Sequence, residues 1–251
     1  MSLTADLSGK TALVTGASSG LGRRFATVLA RAGAEVIVAA RREAELDSLV
    51  SEIEQAGGKA RGQPLDVTDP DAVNAALGAL PALDILVNNA GMAGASRAID
   101  CPPDEWRQTF EVNVNGAFFV AQAAARRMRD LGRGGSIINI ASINAIRPGA
   151  TAAAYSSSKA AIAQMTQALA MEWARFGVRV NALAPGYFET DLNRGFLNSE
   201  FGQAMMKRIP QRRFGEEGEL DGPLLLLASD ASSYMTGAAI VVDGGHLVSV
   251  L

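Results

Sequence analysis

Tyr155 and Lys159 lie four residues apart in the segment YSSSK, thirteen residues after Ser142 and downstream of a glycine-rich stretch at 15–22. On a helix, positions i and i+4 share one face, so the Lys159 ammonium would stand close to the Tyr155 hydroxyl. A free phenol titrates near ~10, and a neighbouring cation favours its anion, which brings the group toward the range where it exchanges protons at neutral pH. The expectation is a phenol made more acidic by its lysine. A Tyr and a Lys one turn apart also occur on solvated helix faces, so the pair takes its meaning from its surroundings.

The 251 residues are 48% hydrophobic and carry a formal net charge of −3, which suits one large, well-cored domain spanning 1–251. No block of like charge appears, so neither nucleic acid nor an anionic membrane is expected as a partner. With one Cys101 and one His246, the chain cannot form an internal disulfide or a zinc site of the usual kind, and metal-assisted chemistry is not expected. The opening MSLTADLSGK has no apolar run of the secretory type, and no later stretch reaches the roughly 18 apolar residues of a membrane span. The expected location is the cytoplasm.

Short β-type runs alternate with amphipathic helical patterns along the chain. TALVT at 11–15 reads as a buried strand, and Leu21, Phe25, Val28 and Leu29 then share a helix face that Gly33 could end. The alternation continues with strand 35–40, helix 42–56, strand 60–65, helix 70–79, strand 83–88 and a long helix over about 103–130. It resumes with strand 135–142, helix 151–176, strand 178–184, helix 216–229 and strand 238–243, interrupted only by a less regular insertion at 187–214. Strands apolar on both faces require helices on both sides, which predicts an α/β doubly wound, Rossmann-type sheet of about seven parallel strands with right-handed crossovers.

In such a sheet the first strand-to-helix turn receives a nucleotide pyrophosphate. Here it is TGASSGLG, in which Gly16, Gly20 and Gly22 permit the tight turn, the backbone approach to phosphate and the packing of helix on strand, with Ser18, Ser19 and Leu21 between them. Its GxxxGxG spacing differs from the GxGxxG of most dinucleotide folds and points to a narrower family.

Together, TGASSGLG at 15–22, NNAG at 88–91, Asn113 in VNVNG, Ser142 in NIAS, YSSSK at 155–159 and PG at 185–186 with Thr190 resemble the single-domain short-chain dehydrogenase/reductase family, in order and over nearly the whole chain. The resemblance implies hydride transfer between a nicotinamide cofactor and a carbonyl or secondary-alcohol substrate, by a homotetramer. It implies a catalytic set of Asn113, Ser142, Tyr155 and Lys159. Ser142 and Tyr155 would polarise the substrate oxygen, Tyr155 would exchange the proton, Lys159 would also bind the nicotinamide ribose, and Asn113 would hold a relay water. Asn89, Ala90 and Gly91 would line the cofactor, Asp66 and Val67 would meet the adenine, and Pro185, Gly186 and Thr190 would lie at the nicotinamide. Without the resemblance, Ser142 reads as a strand-end cap and Asn113 as a packing polar group. Asp69, before Pro70, is the better placed helix cap.

Members of this family that use NAD carry an acid at the end of the second strand. This chain has Ala40 there, followed by Arg41 and Arg42. A guanidinium can meet a 2′-phosphate through two charge-assisted hydrogen bonds, so NADP is expected ahead of NAD, with Arg41 the stronger candidate and Ser19 the dissenting position. The 187–214 insertion, with Tyr187, Phe188, Phe196, Phe201, Met205 and Met206, is expected to form an apolar, adaptable lid over the substrate. Arg147 and Arg194 are candidates for contact with an acidic substrate. The helices at 103–130 and 151–176 are expected to build a two-fold four-helix interface, and GGHLVSVL at the C-terminus a second one. A non-catalytic nucleotide-binding regulator would be expected to lack one of these residues, and a nucleotide-sugar epimerase would show a different glycine spacing.

Overall fold

A computed structural model of the protein describes residues 5–94, 96–189, 194–197 and 199–249. Thr190 lies outside the described residues, as do the side chains of Arg194, Phe196 and Phe201. Seven strands form one sheet: β1 (Thr11–Thr15), β2 (Glu35–Ala40), β3 (Lys59–Pro64), β4 (Ile85–Asn88), β5 (Gly135–Ile140), β6 (Val178–Pro185) and β7 (Ala239–Val242). All neighbours are parallel, in the order β3-β2-β1-β4-β5-β6-β7.

The alternation of side chains along each strand explains the two-sided core. Ala12 and Val14 of β1, with Val36 and Val38 of β2, turn to the face packed by Phe25 and Leu29 of α1 (Gly20–Arg31), by Leu46, Leu49 and Ile53 of α2 (Glu43–Gln55) and by Leu224 and Leu227. Leu13 and Ile37 turn to the opposite face, against Val73 and Leu77 of α3 (Pro70–Gly78) and against Val120, Ala124 and Met128. Asp69 caps α3, accepting from the amides of Asp71 and Ala72 at 3.0 Å each. The strand order reverses between β1 and β4, so a crevice opens beyond their carboxyl ends.

Most expected elements shift by a residue or two at their ends, β4 beginning at Ile85 rather than 83 and β5 ending at Ile140 rather than 142, and a few differ more. β3 ends at Pro64 rather than Leu65, leaving Asp66 two residues past the strand. The expected helix over 103–130 comprises α4 (Pro103–Phe110), a π-helical segment at Glu111–Gly116 and α5 (Ala117–Asp130). The helix expected at 151–176 is α6 (Ala153–Trp173) closed by a 3₁₀ turn, and the one at 216–229 is a 3₁₀ turn followed by α9 (Asp221–Ala228). The insertion contains two short helices, α7 (Arg194–Leu197) and α8 (Glu200–Met206), and a bridge between Phe188 and Gly215 closes its base.

Candidate active site

The glycine loop leaves β1 with Gly16 at φ 65° and Gly20 at φ 52°, in the left-handed region that favours glycine. Gly22 has no room for a side chain, since a Cβ there would lie 2.3 Å from the Gly16 carbonyl oxygen and 2.5 Å from Asn89 Nδ2. That fit is braced by two residues. Thr15 Oγ1 accepts from the amides of Asn89 and Ala90 at 3.0 Å each, and Asn89 Nδ2 donates to the carbonyls of Thr15 at 3.0 Å and Gly16 at 3.3 Å. The Asn89 side chain therefore braces the loop while its backbone lines the crevice. Thr15 was legible only as a strand residue.

Ser19 precedes α1 in extended conformation and makes no side-chain cap, so the first amides of the helix keep their donors for an anion. A crevice of about 580 Å³ begins at this loop, passes Arg41, Asp66, Val67 and Ala90, and reaches Ser142, Tyr155, Lys159 and Gly186. Asp66 Oδ1 accepts from the amide and hydroxyl of Thr68 at 3.0 and 2.8 Å; these bonds, aided by the Arg41 charge, hold the carboxyl below its usual range. Arg41 is exposed at the crevice wall. Arg42, which the sequence placed second, is the residue tied to the loop: its Nη2 donates to Ser18 Oγ at 2.8 Å and Ser19 Oγ at 3.3 Å, while Nη1 pairs with Glu45 at 3.2 Å. An uncapped helix start, positive-φ glycines and two guanidiniums at one end of the crevice fit the pyrophosphate and phosphate of a dinucleotide.

At the other end, β5 delivers Ser142 two residues past the strand, where its Oγ accepts from the Asn144 amide at 3.1 Å and so caps a 3₁₀ turn. The same hydroxyl shares the crevice with the Tyr155 phenol and lowers its pKa. Burial pushes the Tyr155 pKa up, the Ser142 hydrogen bond pulls it back, and the nearby Tyr187 adds a smaller upward push. This corrects the expected acidification: within the protein alone, desolvation outweighs the lowering effect of Ser142.

Lys159 is 6% exposed; burial pulls its ammonium pKa from 10.5 to about 8. Its Nζ donates to the Ile140 carbonyl at 2.7 Å and stands 5.6 Å from the centre of the Tyr155 ring. Gly91 faces it closely, since a Cβ at that position would lie 3.7 Å from Nζ.

Asn113 sits inside the π-helical segment, 1% exposed. Its side chain is saturated with protein partners. Nδ2 donates to the Met92 carbonyl at 2.8 Å and to Ser158 Oγ at 2.9 Å, and Oδ1 accepts from the Met92 amide at 2.7 Å. Ser158 Oγ in turn donates to the Tyr155 carbonyl at 2.7 Å. Asn113 thus clamps the loop after β4 onto the helix that carries Tyr155 and Lys159. Both of its N–H donors are taken by protein partners.

Pro185 ends β6, and Gly186 follows where a Cβ would lie 2.8 Å from Asp243 Cα. Arg147 was expected as a substrate contact. Instead, its Nη1 donates to the carbonyls of His246 at 3.3 Å and Ser249 at 2.9 Å, fastening the C-terminal turn to the loop that begins at Ser142. No helix among the described residues is long and apolar enough to cross a membrane.

A family model described as enoyl-(acyl carrier protein) reductase matches residues 16–246. The chain is 41% identical over 250 residues to an L-rhamnose 1-dehydrogenase (NAD(P)(+)) of Azotobacter vinelandii, covering 96% of this chain and 98% of the relative. It is 42% identical to a gluconate 5-dehydrogenase of Gluconobacter oxydans, covering 98% and 97%. Among solved structures, a gluconate 5-dehydrogenase of Burkholderia cenocepacia in complex with NADP and tartrate superposes with a TM-score of 0.93 at 38% identity, over 98% of each chain. The chain belongs to the short-chain dehydrogenase/reductase family. It is an NAD(P)-dependent oxidoreductase that acts on CH–OH groups.

Proposed function

We propose that the enzyme interconverts a sugar-derived secondary alcohol and its carbonyl form, with NADP preferred over NAD and with Tyr155 Oη as the proton-exchanging atom. The observation that carries this reading is the convergence of Ser142, Tyr155 and Lys159 at one end of a crevice whose other end is an uncapped helix N-terminus flanked by Arg41 and Arg42. The bound dinucleotide supplies or accepts the hydride.

The chain's own residues do the rest. In reduction, Ser142 Oγ and Tyr155 Oη donate to the substrate carbonyl oxygen and stabilise the charge that develops there, and Tyr155 then delivers its proton. Lys159, desolvated and held by the Ile140 carbonyl, is the nearest cation to the phenolate that forms. Its low pKa lets it return a proton near neutral pH. The Asn113 backbone carbonyl holds the water through which that proton is replaced. The 187–214 segment serves as a lid, with Met205 buried at its inner side.

NADP preference is supported by Ala40 at the position of the usual acid and by Arg41 exposed beside the crevice. The sugar-type substrate is supported by the names of the relatives. The exposed apolar side chains of Trp106 on α4 and Met171 on α6, 41% and 80% exposed, support association through those helices into a homotetramer. A nicotinamide-linked oxidoreductase of this kind works on cytoplasmic metabolites, and the cytoplasm is its proposed location.

The test follows nicotinamide absorbance with NADP and NAD over gluconate, L-rhamnose, galactitol and 3-oxoacyl thioesters. A Tyr155→Phe variant that still binds NADP is expected to lose about a thousandfold in kcat/KM. Activity of that variant within about tenfold of wild type would end the assignment of Tyr155.

A further inference from the structure

We infer that Asn139 and Thr166 are positioning residues for the reaction: the hydrogen bond between them sets the register of the helix that carries Tyr155 and Lys159 against the strand that leads to Ser142. This rests on the roles given above to those three residues and adds two that lie outside the crevice.

Four buried polar side chains form one chain of hydrogen bonds under the crevice. Asn139 Nδ2 donates to Thr166 Oγ1 at 2.9 Å, and that hydroxyl donates to the Ile162 carbonyl at 2.8 Å. Asn88, paired with Asn139 across β4 and β5, donates through Nδ2 to Asn139 Oδ1 at 3.2 Å and to the Ala117 carbonyl at 2.7 Å. Thr15 Oγ1 completes the chain by donating to Asn88 Oδ1 at 3.5 Å. Thr15, Asn88 and Asn139 each directly precede a residue that lines the crevice, namely Gly16, Asn89 and Ile140. None of the four is more than 4% exposed, so water offers no substitute partner. The chain joins the brace of the glycine loop to α6.

On α6, Tyr155, Lys159, Ile162 and Thr166 follow at i, i+4, i+7 and i+11 and share one face. Thr166 therefore belongs to the same stripe as the catalytic pair, about 10 Å beyond Lys159 at ~1.5 Å per residue. The apolar contact under that stripe is nearly smooth. Ile162 clusters with Ala117, Ala141, Ala182 and Ala184, whose methyl groups offer no deep holes to fix how far the helix slides or turns. A hydrogen bond weakens steeply when it is stretched or bent, so the Asn139–Thr166 bond supplies the register that alanines cannot. Asn139 also stands next to Ile140, whose carbonyl holds Lys159, and three residues before Ser142. One short run of β5 thereby fixes Ser142, Lys159 and the rear of the stripe together. A misplacement of about 1 Å in a reacting group can cost ~100-fold in rate.

The experiment replaces Thr166 by Val, which leaves the Asn139 N–H without its acceptor, and by Ser, which keeps the hydroxyl. Steady-state rates of the NADP-loaded enzyme are measured over gluconate, L-rhamnose and galactitol, with NADP affinity by fluorescence titration and stability by thermal midpoint. Ile137→Val, buried on the same face of β5, is the control for lost stability alone. Thr166→Val is expected to lose about tenfold or more in kcat, with KM and NADP affinity held within about threefold. Thr166→Ser and Ile137→Val should stay within about threefold of wild type in kcat. A Thr166→Val enzyme whose kcat matches that of Ile137→Val overturns the proposal, and so does a Thr166→Ser enzyme as slow as Thr166→Val. If Thr166→Val does not fold, Thr166→Ala takes its place in the same comparison. If wild type turns over no substrate, the reading of the reaction fails separately, and the Tyr155 phenol is titrated instead by ultraviolet difference against Tyr155→Phe. Thr166→Val should then lower its midpoint by about half a unit or more as water reaches the phenol, and an unmoved midpoint overturns the proposal.

Discussion

Lys159 is the residue at which the site works against the stability of the fold, and replacing it by Met exposes the conflict. Burial lowers its pKa from 10.5 to about 8, which at about 1.36 kcal/mol per tenfold is a penalty on the order of 3 kcal/mol in the folded state at neutral pH. The unfolded chain keeps its proton up to about 10.5, whereas the folded chain releases it near 8. Between those values the unfolded state binds more protons, so this group makes stability rise with pH; below pH 8 the penalty is fully present. Met fills similar space without charge, and the lost Nζ bond to the Ile140 carbonyl returns about 1 kcal/mol. Lys159→Met should therefore be more stable than wild type by roughly 2 kcal/mol at pH 7, while losing nearly all activity. Urea unfolding of the cofactor-free protein, followed by Trp106 and Trp173 fluorescence at fixed protein concentration between pH 7 and 10, measures both quantities. Subtracting the variant's curve removes every other group that titrates there. If the variant is less stable than wild type at pH 7, or if the two proteins gain stability equally on going to pH 10, the account of a desolvated cation is wrong.

Arg41→Ala should reduce the kcat/KM ratio of NADP to NAD by roughly tenfold or more, and a ratio that holds in this variant but falls in Arg42→Ala would shift the phosphate contact to Arg42. Gly22→Ala, whose Cβ would lie 2.3 Å from the Gly16 carbonyl oxygen, should abolish NADP binding in a fluorescence titration, since that oxygen is backbone and the next contact, Asn89 Nδ2, is held by two hydrogen bonds. Because burial holds the Tyr155 phenol above its usual value, alcohol oxidation, which needs the phenolate, should accelerate as pH rises through the alkaline range. Carbonyl reduction, which needs the phenol, should decline over the same range, and oxidation that slows there would reverse the assigned proton direction.

The sheet was legible because parallel strands buried on both faces write themselves as short apolar runs. β1 and β2 have the expected limits, since Thr11–Thr15 and Glu35–Ala40 are bounded by glycine or charge. β3 was placed one residue late because the edge strand KARGQP is half exposed and has no apolar run to bound it. The glycine loop and the meeting of Ser142, Tyr155 and Lys159 in one crevice were legible as types and spacings, but their bracing was not. Thr15 holds two amides with one hydroxyl, and Ser158 joins Asn113 to the Tyr155 turn. Each looks from the sequence like an ordinary polar residue, because its role depends on a partner 20 or more residues away in the chain. The direction of the Tyr155 shift was missed for a related reason. Spacing showed the cation one turn away, while the desolvation that raises the phenol comes from the folded surroundings.

The π-helical segment shows why periodicity alone cannot place such a site. Apolar residues continue through 103–130 with a helical rhythm, and one extra residue in a turn barely disturbs that pattern over a long window. Yet Gly116 in this segment packs where a Cβ would lie 2.7 Å from Val67 Cγ2, beside the crevice wall, while Asn113 is drawn inward to clamp Met92 and Ser158. A regular helix would rotate one of these two contacts away by about 100° per residue. The wider turn satisfies both. The irregularity is thus what these two contacts require, and propensity carries no trace of it because the requirement arises from the loop after β4, α6 and the crevice wall together.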